Sequence, residues 1–405
     1  MTADGRSTRR RFLSVAVPCG IVASGGLVWR AMDRRVFGSD EGIAFDPWES
    51  WREDADKSVG LARAGVLASS ARNAQPWIFR CDADRIEVHG DLRRHIGVSD
   101  PYLRSMYLSL GCAVENIVVA AYSSGWSAGV RLDPGALTGV PAVQVPIRVA
   151  RIDLRRDAKT AAHRVVAGES YAAIAQRHTN RGPFTSGEVS EGDRRRLVGL
   201  AADDALLRLF VFDRGAGESR RLLERVLLDG VDRFWDDPAL VEDEAAWLRT
   251  SHDEISDHMD GLSLDAEGES QLALAAQKMF SLPTIAERLA RRPQTARMQI
   301  ATAPLLCVLA ARKIHDRQQA LRAGRLWQRI QLWSTARGLA SQPIQQAIDL
   351  IDVESARGQA SSTATAFEPL LEGKEWKPMV AFRLGYAEHE APRTPRRDLF
   401  DVLAE

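Results

Sequence analysis

Ala68 to Trp77 crowds two serines (Ser69, Ser70), Asn73, Gln75 and a Pro-Trp pair into one turn. Such a turn offers amide and hydroxyl groups to a flat, heteroatom-rich ligand. The same residues would also serve as a capped turn with Trp77 as a core anchor. A second group lies about a hundred residues on, where Arg177, Thr179 and Arg181 alternate before Gly182-Pro183. Two guanidinium forks and a hydroxyl donor form a sound anion site. Their other reading is a capped helix end with solvated arginines. A third basic group, Arg393, Arg396 and Arg397, is near the C-terminus, where it would also fit an exposed tail.

Positioning these groups falls to two similar runs of helices and strands. Before the turn, apolar residues from Trp48 to Leu67 recur at helical spacing, and 78–80 with 85–89 reads as a strand pair. Met106 to Ala121 is apolar nearly all round and predicts a core helix. Val143 to Leu154 alternates as a strand. In the second half, 157–177, 193–202, 218–228 and 318–337 read as helices, with strands over 206–212 and 304–311. The spans Gly111–Gly125 and Gly324–Gly338 match: each has apolar residues at the same offsets (Val114, Ile117, Val119, Ala120; Trp327, Ile330, Leu332, Trp333), followed by a possible strand. This echo implies two copies of one α+β unit, their core helices packed about a pseudo-two-fold axis.

The chain has 405 residues, enough for two domains, with 45% hydrophobic and 27% charged residues. Lys plus Arg and Asp plus Glu are 54 each, so no global field favours nucleic acid. The four cysteines lack metal or framework spacing, and His252 and His258 form no ligand pair, so no metal is expected. Arg9-Arg10-Arg11-Phe12-Leu13 precedes an apolar, glycine-containing run over residues 12–29. This resembles a twin-arginine export signal and, uncleaved, would be a marginal membrane anchor. The expected location is therefore the cell envelope, with a cytoplasmic protein as the alternative. The domains read as 1–39 signal or anchor, 40–156 first half and 157–405 second half, with an acidic insertion at 231–283 as a lid.

From Trp48 to Leu403 the chain resembles the flavin-dependent nitroreductases, and more closely the fused tandem-domain Acg-type FMN-binding oxidoreductases. Ser69-Ser70-Ala71-Arg72-Asn73-Ala74-Gln75-Pro76-Trp77 looks like the family turn P-S-S-x-N-x-Q-P-W. Asp100-Pro101 with Arg104, Ser109-Leu110-Gly111 with Glu115-Asn116, and Glu244 with Trp247 and Arg249 resemble further signatures. Arg177, Thr179 and Arg181 fit R-x-S-x-R, Arg396 the closing phosphate arginine, and Gly338 to Gln345 the loop facing the flavin N5 edge. The resemblance implies an α+β nitroreductase-like fold, two tandem halves packed as an intramolecular pseudo-dimer. It implies FMN held by Ser70, Asn73, Gln75, Arg177, Thr179, Arg181, Gln345 and Arg396. It also implies NAD(P)H as reductant and a nitroaromatic, quinone or similar small-molecule acceptor; no catalytic side chain is assigned. The turn occurs only in the first half and the arginine motif only in the second, so one FMN per chain and a monomer are expected. The alternative is a lidded protein that stores flavin with little turnover.

Overall fold

The computed structural model describes residues 41–156, 168–280 and 282–404. The expected export segment and the start of the 157–177 helix lie outside them. The first half contributes α1 (Ser58–Val66), β1 (Trp77–Asp82), β2 (Arg85–Gly90), α2 (Arg104–Ser123), β3 (Trp126–Leu132) and β4 (Ile147–Arg156). The second contributes β5 (Leu207–Asp213), α3 (Gly217–Trp235), α4 (Pro238–Ala246), α5 (Ile285–Thr302), β6 (Leu305–Ala311), α6 (Arg317–Thr335), β7 (Ala340–Pro343), α7 (Gln346–Ala356) and β8 (Lys377–Gly385). All pairings within the two four-stranded sheets are antiparallel, in the orders β1-β2-β4-β3 and β5-β6-β8-β7. Each sheet has the same strand order, and each half places a long helix between its second and third strands. The architecture is therefore α+β in two like halves.

The two long helices, α2 and α6, pack against each other in the core, and the repeated glycines explain how. A Cβ on Gly111 would lie 2.2 Å from the Leu321 carbonyl oxygen, and one on Gly324 would lie 2.0 Å from that of Leu108. Only glycine permits this backbone approach. Beside the crossing, Gln328 Nε2 donates to Asn116 Oδ1 (2.8 Å), and Asn116 Nδ2 donates to the Ala64 carbonyl (2.8 Å). Glu115 pairs with Arg325 and Arg329 of the other half at 2.8 and 2.9 Å. Gly324→Ala sets two effects against each other. Alanine is better than glycine in a helix by about 1 kcal/mol, but the added methyl meets backbone that no side-chain rotation can move. The clash wins, and a net loss of about 1–3 kcal/mol is expected in urea unfolding.

Local departures from the expected elements have simple causes. The 48–67 helix is broken because residues 51–57 fold back over α1: Asp54 has φ 52°, and Gly60 leaves no room for a Cβ beneath the Asp54 carbonyl. The 231–283 insertion is largely helical. Its short helices are set by caps rather than by an apolar stripe, Asp237 accepting from Ala239 N–H and Ser251 from Glu254 N–H. β8 is buried along nearly its whole length, so its sequence shows no alternation.

After β8 the chain returns to the first half. Arg396 N–H donates to the Ala44 carbonyl (2.7 Å), Trp48 Nε1 to that of Thr394 (2.8 Å), and Ala404 N–H to that of Phe79 (2.8 Å). A buried ion pair adds to the join: Arg104 Nε donates to Asp352 Oδ2 at 2.6 Å, and Nη2 to the Ile348 carbonyl at 2.8 Å.

Candidate functional site

The turn after α1 holds an unusual backbone, with positive φ at Arg72 (49°), Asn73 (57°) and Gln75 (51°). Three such residues in four positions need outside support. Ser109 Oγ accepts from Ala71 N–H (3.0 Å), and Ser70 Oγ accepts from Gln75 N–H (3.1 Å). The Arg72 guanidinium reaches Glu244 (2.6 Å), the Ile96 carbonyl (2.7 Å) and Ser99 Oγ (2.7 Å).

Against this turn is a cavity of about 380 Å³, walled by both halves. The first half supplies Ser69 to Arg72 and one face of α2, including Ser109 and Cys112. The second supplies Thr179, Arg181, Gln342 and the first turn of α7. The segment from Phe234 to Glu269 and the arginines of α5 close another side. The volume suits a small molecule or cofactor.

Of the residues singled out in the sequence, the structure places Ser70, Thr179, Arg181 and Gln345 in the cavity wall. Gln345 is occupied there: its Oε1 accepts from Ala381 N–H (3.0 Å), and its Nε2 donates to the Met379 carbonyl (3.4 Å). Asn73, Gln75, Arg177 and Arg396 are buried behind the wall instead. Asn73 Nδ2 donates to the carbonyls of Gly261 (3.1 Å) and Pro395 (2.9 Å), and its Oδ1 accepts from Arg396 (2.6 Å). Gln75 donates to the Met259 carbonyl (2.8 Å) and accepts from Arg397 N–H (2.9 Å). The left-handed backbone turns these two amides away from the cavity, toward the 259–261 segment and the C-terminal tail. They tie three distant segments together where ligand contacts were expected.

The arginines are arranged differently. Arg177, Arg181, Arg383 and Arg396 are each strongly desolvated, and none has a carboxylate partner among the described residues. Burial pulls Arg177 down to about 10, and Arg181 also to about 10, with Arg292 adding repulsion and Glu267 and Glu244 opposing it. Burial and then Arg181 bring Arg383 down to about 9; burial and then Arg177 hold Arg396 well below the usual range. Between them His178 is pulled down to about 3, by burial first and then by Arg177, Arg396 and Arg393. Arg177 Nε and Arg396 Nε have no hydrogen-bond partner. Buried cations are normally paired; here Glu267 and Glu244 act on Arg181 only at a distance, and the cluster as a whole favours an anion beside the Thr179–Arg181 wall.

Acidic groups line the cavity as well, Glu244, Glu267 and Glu269 in ion pairs with arginines and Asp349 apart from them. Asp100 accepts from the N–H groups of Ser105 (2.9 Å) and Met106 (3.0 Å) at the start of α2. Burial pushes its carboxyl up to about 6, against those hydrogen bonds. Asp349 and Gln346, one turn apart on α7, were not singled out by motif; both are in the cavity wall. The available signal was two acidic residues, Asp349 and Asp352, within the apolar run Ile348 to Val353. The Glu244, Trp247, Arg249 pattern belongs to the closing segment: Glu244 holds Arg72, and Asp260 is held by both Arg249 and Arg94.

No protein-family model matches the chain. It is similar to two Mycobacterium tuberculosis proteins, of strains CDC 1551 and H37Rv, that carry the provisional name NAD(P)H nitroreductase. Each is 24% identical over 356 residues, covering 86% of this chain and 92% of the relative. Among solved structures it is similar to the FMN-dependent nitroreductase NfnB of Mycobacterium smegmatis in complex with NADPH. That match has 18% identity and a TM-score of 0.37, over 58% of this chain and 97% of that one. A nitroreductase, provisionally named, of Anabaena variabilis matches with 10% identity and a TM-score of 0.41, over 75% of this chain and 69% of that one.

Proposed function

We propose that the chain is an FMN-dependent NAD(P)H oxidoreductase of nitroreductase type, with one FMN in the cavity between its halves. The observation that carries the reading is the set of buried guanidiniums, none in a salt bridge among the described residues, beside a cofactor-sized cavity. A phosphate monoester supplies the missing counter-charge and accepts several N–H donors at once. Thr179 and Arg181 in the wall would hold it, with Arg177 and Arg396 close behind; Ser69 and Ser70 face the same space. The similarity to the two mycobacterial relatives extends over most of the chain and points the same way. When bound, the flavin would accept hydride from NAD(P)H and pass electrons to a nitroaromatic or quinone-like acceptor. The protein's part is to neutralise the phosphate, orient the ring system and exclude water.

A second reading has its own support. The 238–269 segment, clamped to the first half through Arg72–Glu244 and Arg94–Asp260, closes one side of the cavity. A flavin beneath a closed cover would be stored rather than turned over. One experiment separates the readings: the visible absorbance spectrum of purified protein, before and after NADPH. One flavin equivalent per chain, bleached within seconds, is the expected result. A bound flavin untouched by NADPH favours storage, and colourless protein that takes up no FMN overturns both.

A further inference from the structure

One group in the cavity wall has no role in holding the fold or an anion. The Asp349 side chain is 7% exposed and lines the cavity; its Oδ1 is buried without a hydrogen-bond partner. Asp349 is in the first turn of α7, three residues after Gln346, so the two share a helix face. Gln346 also lines the cavity, and its Oε1 likewise has no partner. Other buried carboxyls among the described residues are engaged: Asp352 by Arg104 and His315, Glu115 by Arg325 and Arg329, Asp100 by two backbone N–H groups. A buried carboxyl left unbonded in a cavity wall is costly unless it is neutral or meets a ligand.

Resting on the oxidoreductase reading, we propose that Asp349 is the acid that donates a proton to the electron acceptor reduced in this cavity, with Gln346 orienting that acceptor. Reduction of a para-quinone needs a hydride and a proton. A reduced flavin bound here would supply the hydride. The Asp349 O–H bond breaks with its electron pair left on the carboxylate, the proton forms a new O–H bond on the acceptor oxygen, and water reprotonates Asp349.

The charged surroundings suit this role. Burial raises the carboxyl well above the ordinary carboxylate range; Arg104 and Arg72 oppose that, while Asp100 and Asp352 add to it. Both arginines are already committed, to Asp352 and Glu244 respectively, which leaves Asp349 without a dedicated counter-ion. Burial of this unpaired carboxyl therefore favours its acid form, the form a general acid needs.

The test uses Asp349→Asn, which keeps the shape and cannot supply the proton. In wild-type protein at neutral pH, infrared difference spectroscopy against this variant should show a carboxylic-acid carbonyl band that shifts in heavy water. In stopped flow, flavin content and reduction by NADPH should be unchanged in the variant. Reoxidation by a water-soluble para-benzoquinone should slow by about 100-fold or more. The wild-type reoxidation rate should fall as pH rises and Asp349 loses its proton, and that dependence should vanish in the variant. No infrared band, or equal reoxidation rates, overturns the assignment while leaving the flavin reading intact. Protein that takes up no flavin overturns that reading and the donor role with it.

Discussion

Replacing Arg177 by methionine is expected to move two measurements in opposite directions. FMN affinity should fall by about 10-fold, the loss expected when a buried positive charge close behind the phosphate is removed. The flavin-free protein should become more stable, by about 1 kcal/mol or more, because a buried charge gives way to an apolar side chain of similar length. Arg177 is 3% exposed, its Nε has no partner, and among the described residues its side chain makes one hydrogen bond, a long 3.4 Å contact to the Leu67 carbonyl. Little of the fold therefore depends on its charge. Fluorescence titration with FMN and urea unfolding of the stripped protein check the two halves of the prediction. A residue with a purely structural role would lower stability and leave affinity alone.

Arg104→Met should behave in the reverse sense. The guanidinium is 1% exposed and spans the two halves, with Asp352 at 2.6 Å and the Ile348 carbonyl at 2.8 Å. Its loss leaves Asp352, also 1% exposed, to His315 alone at 2.9 Å. Breaking one side of such a pair costs about 3–5 kcal/mol, a large share of the stability of a typical protein. Removing the second charge as well, in Arg104→Met with Asp352→Leu, should restore most of that loss, since no ion then remains buried unpaired. A double-mutant cycle in urea measures the coupling. Additive losses would show that the pair does not join the halves energetically.

The contrast between these two arginines shows where sequence reasoning reaches and where it stops. Both were visible as motif positions: Arg177 in R-x-T-x-R, Arg104 after Asp100-Pro101. Spacing did not say which had a carboxylate waiting. Arg104 meets Asp352 and Arg177 meets none, and that partner lies 248 positions away in the chain. Long-range pairing of this kind is a property of the packed halves.

What the sequence by itself determined is the set of features that depend on residue type and local period. The repeated Gly-to-Gly spans marked the crossing of α2 and α6, because only glycine allows backbones so close, and that requirement leaves a mark in the composition. The apolar helices and the alternating strand β4 were legible for the same reason, since burial on one face imposes a period. The tertiary structure alone decided which polar side chains face the cavity. In the 68–77 turn, three left-handed residues send Asn73 and Gln75 inward to backbone carbonyls from segments 184 and more positions away, leaving Ser69, Ser70 and Arg72 at the wall. Asp349 points into the same space because the first turn of α7 abuts the cavity. Direction is set by backbone dihedrals and by neighbours far along the chain. Neither is encoded in the spacing of a motif.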